Sequence, residues 1–195
     1  MASPGGKFRE EAEEIVKFVL GFLPWILFLF LPTGGWEPLR RAVLVCLGAA
    51  VVFSVKALRA GFILQWATAG FFLFCAAALY GAEWVWLAEH MAPIANGFLA
   101  GTIWVTVLIG KPFTLQYARA DRPRCQWYDE KLIRSCRLIA VFWGLLLLIP
   151  TGFNILRQAR PDLLPERFYF WLSLSCIAGG IVFTVYYKRK KRRAA

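Results

Sequence analysis

Six stretches of the chain run for 14 to 22 residues with almost no charged side chain: residues 15–31, 42–55, 61–82, 93–110, 138–156 and 168–187. A helix rises 1.5 Å per residue, so about 20 residues cross the roughly 30 Å hydrocarbon core of a bilayer. The third, fifth and sixth stretches meet that length outright. The second is short, but Arg40, Arg41, Lys56 and Arg59 stand at its ends, where their long stems can carry the charge to the headgroups. Hydrophobic residues make up 59% of the chain and charged ones 18%, a balance that excludes a soluble domain of this size. The expected fold is all-α, a polytopic transmembrane helix bundle of six spans.

The first stretch is the least regular. Lys17 sits near its start and Pro24 interrupts it, removing one backbone hydrogen bond and bending the helix. If it is re-entrant, five spans remain. Residues 1–17 mix Phe8, Ile15 and Val16 with charges and are read as an amphipathic cytoplasmic leader; no small-residue cleavage site follows the apolar stretch. Residues 18–187 then form a single transmembrane domain with a basic connection at 111–137, and residues 188–195 a basic tail.

The net charge of +11 would suggest nucleic acid as a partner in a soluble protein, but here it has a topological use. On alternate sides of a six-span chain, only Arg40, Arg41, Arg157, Arg160 and Arg167 fall on one side; the remaining 18 of 23 Lys and Arg fall on the other. Both termini are therefore expected in the cytoplasm, and no nucleic-acid partner is expected. Trp25, Trp36, Trp84, Trp86, Trp127 and Trp171 lie near span edges, where an amphipathic ring prefers to sit, while Trp66, Trp104 and Trp143 lie deeper.

Chemistry is sparse. All 12 acidic residues lie outside the central parts of the spans, and the one histidine, His90, stands beside Glu89 in the third connection. Glu83, Glu89 and His90 are the only group that approaches an interfacial active site for a lipid-directed enzyme, and a solvated, hydrogen-bonded pair is the plainer reading. Three of five cysteines, Cys46, Cys75 and Cys176, fall inside spans, and Cys125 and Cys136 are eleven apart, so no disulfide framework is expected. No catalytic residue, cofactor or metal ligand is assigned.

Polar residues inside the spans have to find partners between helices, because lipid offers none. Gln65, Asn96 and Asn154 are the strongest of these, and they mark a candidate polar path for a neutral solute or a lipid headgroup, the use a small oligomeric transporter or channel would make of them. Gly97 and Gly101 put two bare positions on one helix face; they admit close helix packing, within the chain or in a homo-oligomer, with Ala178, Gly179 and Gly180 as a possible facing surface. Pro112 should end the fourth span. Beyond it Phe113, Leu115 and Tyr117 alternate with polar residues, as in a segment lying in the headgroup layer, and Lys111, Arg119, Arg122 and Arg124 make a candidate surface for anionic membrane lipid or an acidic partner.

Phe22-Leu23-Pro24 before an aromatic-rich run, Lys111-Pro112 at the end of the fourth span, Gly152-Phe153-Asn154 in the fifth and a last helix closing on Tyr186-Tyr187 and basic residues stand in a telling order. In these features, and in segment lengths from about residue 22 to 188, the chain resembles the intracellular septation protein A family of bacterial inner-membrane proteins. The Arg-rich connection 119–137 and the heavy basic tail depart from that pattern. The resemblance implies a non-enzymatic protein of cell-envelope maintenance and septation, a scaffold touching division and wall-synthesis membrane proteins, and it transfers no catalytic residue.

Overall fold

The computed structural model describes residues 16, 19–31, 33–120, 123–160 and 162–193. The amphipathic-leader reading of residues 1–17 and the candidate Arg122 lie outside the described residues, apart from Val16. Among the described residues eight α-helices follow in order: α1 Val19–Phe30, α2 Trp36–Arg59, α3 Ile63–Tyr80, α4 Val85–Glu89, α5 Met91–Leu108, α6 Phe113–Ala120, α7 Glu130–Ala159 and α8 Glu166–Arg193. There is no strand among the described residues. Five of the helices, α2, α3, α5, α7 and α8, are long and apolar enough to cross a membrane.

The burial pattern is that of a membrane protein. Val52, Leu108 and Val182 are 67–78% exposed, whereas Ser54, Gln65, Thr68, Thr106, Asn154 and Thr184 are buried. Apolar side chains outside and polar ones inside invert the soluble arrangement, because the hydrocarbon surroundings accept the former and the bundle interior satisfies the latter.

The most unexpected element is α1. Its described apolar stretch, Val19–Phe30, is shorter than those of the five spanning helices. It is packed inside the others. Phe22 stacks on Trp143 of α7 at 4.7 Å and meets Phe113 of α6 edge-on at 6.0 Å. Trp25 packs on Phe71 and Phe72 of α3 and donates its Nε1–H to the Thr68 hydroxyl at 3.0 Å. Phe30, at the far end, meets Phe170 near the start of α8 at 5.3 Å. Phe22, Pro24 and Trp25 are buried against these neighbours, whereas Phe28 and Leu29 border a cavity and Phe30 is 58% exposed, so an apolar run suits every side of the helix. Around it α5 packs on α7, α2 on α3, and α7 on both α8 and α6.

Helix ends follow from local chemistry. α2 and α5 each close on a glycine in the left-handed region, Gly61 at φ +74° and Gly110 at φ +73°. In both, the residue after the glycine donates back into the last turn, Phe62 N–H to Ala57 O and Lys111 N–H to Thr106 O, each at 3.0 Å. So the fourth span stops at Gly110, before Pro112, whose ring then suits the start of α6. Asp129 caps α7 by accepting from the Lys131 N–H at 2.9 Å.

Two sequence expectations change. The second span is 24 residues rather than 14, because the flanking cations continue the helix; Arg40 lies 3.9 Å over the Tyr80 ring and pairs with Glu37 at 3.1 Å. The basic connection 111–137 is largely helical, since α6 and the first turns of α7 occupy most of it. Phe113, Thr114 and Leu115 are buried in α6 rather than lying in a headgroup layer: Phe113 and Tyr117, four apart, share one helix face turned to the bundle.

Candidate functional site

A cavity of about 690 Å³ opens at the end of the bundle that carries the fewer Lys and Arg, between α1, α5, α7 and α8. It is within the range of roughly 300–1,000 Å³ usual for small-ligand sites. By helix register it has three levels. Trp25, Leu99, Leu147 and Ile177 line its deepest part, Asn96, Asn154, Tyr169 and Ser173 its middle, and Glu89, Arg157, Gln158, Glu166 and Arg167 its mouth.

The middle level holds polar groups that the protein leaves unspent. Asn154 donates its Nδ2–H to the Pro150 carbonyl at 2.7 Å and Asn96 donates to the Ala92 carbonyl at 3.0 Å, so both side-chain carbonyl oxygens stay open. The Tyr169 hydroxyl is buried with no hydrogen-bond partner. One turn further along α8 the Ser173 side chain, also buried, faces the same cavity. At the mouth Arg157 pairs with Glu166 and lies 5.1 Å over the Tyr169 ring. Pro150 within α7 also lines the cavity; its missing N–H leaves the preceding turn one hydrogen bond short.

The three-residue polar path is thus divided. Asn96 and Asn154 come together on the cavity, but Gln65 lies at the opposite, basic end, because α3 starts there and Gln65 is in its first turn. Gln65 is 2% exposed and donates to the Tyr117 hydroxyl, while its own Oε1 is buried without a partner. Next to it Gln116 accepts from the Ile63 N–H at 2.9 Å, and Phe62 meets Tyr117 edge-on at 4.9 Å. These contacts fasten α6 across the α2–α3 turn. The Thr106 hydroxyl accepts from the Phe113 N–H at 3.2 Å and ties the start of α6 to α5.

Burial pushes the Tyr117 hydroxyl from 10.0 up to about 12, the hydrogen bond from Gln65 pulling the other way. The folded protein therefore resists phenolate formation that the unfolded chain permits. The stability this group supplies is whole below pH 10 and drains away as the pH rises towards about 12. Tyr117→Phe should flatten that part of the pH–stability curve, read as thermal unfolding in detergent micelles; an unchanged slope above pH 10 would mean that Tyr117 ionises freely.

Of the candidate lipid-facing cations, Lys111 and Arg124 are exposed. Arg119 is partly committed inside the protein: its Nε and Nη2 donate to the Trp127 carbonyl at 3.3 and 3.1 Å. Gly97 approaches α7, where an added Cβ would lie 3.6 Å from Thr151 Cγ2, but Gly101 has nothing within 4 Å. The Gly97–Gly101 pair therefore does not form one packed seam, and Gly180 meets α7 instead. His90 stacks on Trp86 at 4.4 Å with its Nδ1 2.8 Å from the Trp86 carbonyl, and Glu89 lines the cavity mouth. No three His, Cys, Asp or Glu side chains are grouped to hold a metal among the described residues.

Sequence reading passed over Tyr169. The signal available was its place four residues before Ser173, one turn into a span, where two hydroxyls share a helix face. No family model, curated protein or solved structure matches the chain.

Proposed function

We propose that this chain is a non-catalytic bacterial inner-membrane protein whose cavity holds an amphiphile in the outer half of the bilayer. The observation that carries the reading is the order of polar groups along the cavity, none at its floor, uncharged ones above it and charges only at the mouth, with apolar side chains such as Phe28, Leu29, Met91 and Phe170 continuing beside them. That order matches a lipid-like molecule lying with its chain in and its head out. The outward orientation follows from the clustering of basic residues at the other end, which the positive-inside rule assigns to the cytoplasm. An envelope-maintenance role, as the family resemblance implies, would work through this occupant, leaving Lys111 and Arg124 to anionic lipid or protein partners.

Photo-crosslinking tests the proposal. With the protein in nanodiscs, a lipid carrying a diazirine near the end of its chain should label Leu99 and Leu147, which are buried from the surrounding lipid but line the cavity. Labelling confined to outward-facing residues such as Val105, Leu108 and Val182 would overturn it.

A further inference from the structure

We infer that the occupant carries an uncharged, hydroxyl-bearing headgroup, of the acylglycerol or glycolipid kind. The inference rests on the amphiphile reading above and adds the chemistry of the head.

The groups at headgroup level are two hydroxyls, of Tyr169 and Ser173, and two amides, of Asn96 and Asn154. The Tyr169 residue is 4% exposed and its hydroxyl has no partner, an arrangement costly to keep unless something accepts from it. Each amide spends one of its two N–H donors, on the Pro150 or the Ala92 carbonyl, so each still presents a carbonyl acceptor and one N–H. A ligand satisfying this set must both donate and accept. An alcohol does both; a phosphate diester accepts only, and a quaternary ammonium does neither.

The mouth adds a second, independent argument. Its ionisable groups are Glu89, Glu166, Arg157 and Arg167, two of each sign, and Arg157 is already paired with Glu166. Balanced charge gives no net pull on an anionic or a cationic head. The apolar floor of Trp25, Leu99, Leu147 and Ile177 favours a polyol attached to a chain over a free polyol.

The test compares three diazirine lipids with one chain and different heads: a monoacylglycerol, a lysophosphatidylglycerol and a lysophosphatidylcholine. Labelling of Leu147 should be strongest for the monoacylglycerol, by roughly three- to tenfold, the effect of one or two hydrogen bonds gained. Tyr169→Phe and Ser173→Ala should each reduce that preference while leaving labelling of outward-facing Val182 unchanged. Both remove only a hydroxyl, and Val182 labelling together with the melting temperature reports whether the variant is folded. Equal labelling of Leu147 by all three lipids would overturn the headgroup assignment while leaving the amphiphile reading intact; no labelling of Leu147 by any of them would overturn both. Protection of Leu147 by free glycerol as effective as by unlabelled monoacylglycerol would also overturn the assignment to a lipid.

Discussion

Trp143→Ala is expected to cost about 3–5 kcal/mol, the range for truncating a fully buried indole. Trp143 is wholly buried, stacks on Phe22 with an interplanar angle of 18° and donates its Nε1–H to the Thr184 hydroxyl at 3.0 Å. It thereby joins α7 to the central helix on one side and to α8 on the other. Its seat on α8 is Gly180, where an added Cβ would lie 2.6 Å from the indole Cζ2. The ring cannot slide away without losing the stack or the hydrogen bond, so Gly180→Ala should cost about 1–3 kcal/mol through overpacking. Both substitutions act on one contact. Their double variant should accordingly lose less than the sum of the two, and unfolding in mixed micelles is the measurement that checks it. A Gly180→Ala protein as stable as the parent would show that the indole has room to move.

How legible these features were depends on whether the signal is local. Span number and charge asymmetry are properties of short windows, and five long apolar helices stand where apolar runs were marked. The depth of Trp104 and Trp143 in their spans could also be read, whereas Trp66, expected with them, stands in the first turn of α3, 61% exposed and donating its Nε1–H to the Leu58 carbonyl. The seats of Trp104 and Trp143 could not. Trp104 lies against Gly144, with an added Cβ 2.9 Å from its Nε1, and Trp143 against Gly180. Each pair is far apart in sequence, whereas the nearby Gly97–Gly101 spacing attracted notice and proved only half engaged. Spacing identifies a helix face but not what stands opposite it.

The same limit explains α1 and α6. Pro24 and a short apolar run read equally well as a bent span or a dipping segment, and only the rings of α3, α6, α7 and α8 around α1 decide that it is interior. In α6 the alternation of Phe113, Leu115 and Tyr117 suggested a surface segment, while the four-residue spacing of Phe113 and Tyr117, equally present, was the one the fold uses. A window of eight residues carries both periods, and burial chooses between them. The cavity belongs to this class too: Asn96 and Asn154 were evident as intramembrane polar residues, but their separation from Gln65 depends on which end of each helix they occupy.

Gly21→Ala offers the sharpest test of the central helix, because propensity and packing predict opposite signs. Alanine favours a helix over glycine by roughly 1 kcal/mol, so at a position with free space the substitution would stabilise the protein. Here an added Cβ would lie 2.2 Å from the Tyr117 hydroxyl oxygen and 2.8 Å from Gln65 Nε2. The Gln65 amide is the far end of a flexible chain and can give, but the Tyr117 ring is held between Phe62 and Phe113. A net loss of about 1–3 kcal/mol is expected, with α6 displaced from the bundle. Tyr117→Phe removes the clashing oxygen and leaves Cζ, 3.2 Å away, as the nearest ring atom, so it should recover part of the loss when combined with Gly21→Ala. Thermal unfolding of the four proteins in the same detergent decides the matter. If Gly21→Ala raises the melting temperature, the contact between α1 and α6 is looser than the packing described, and the central helix is not clamped at its basic end.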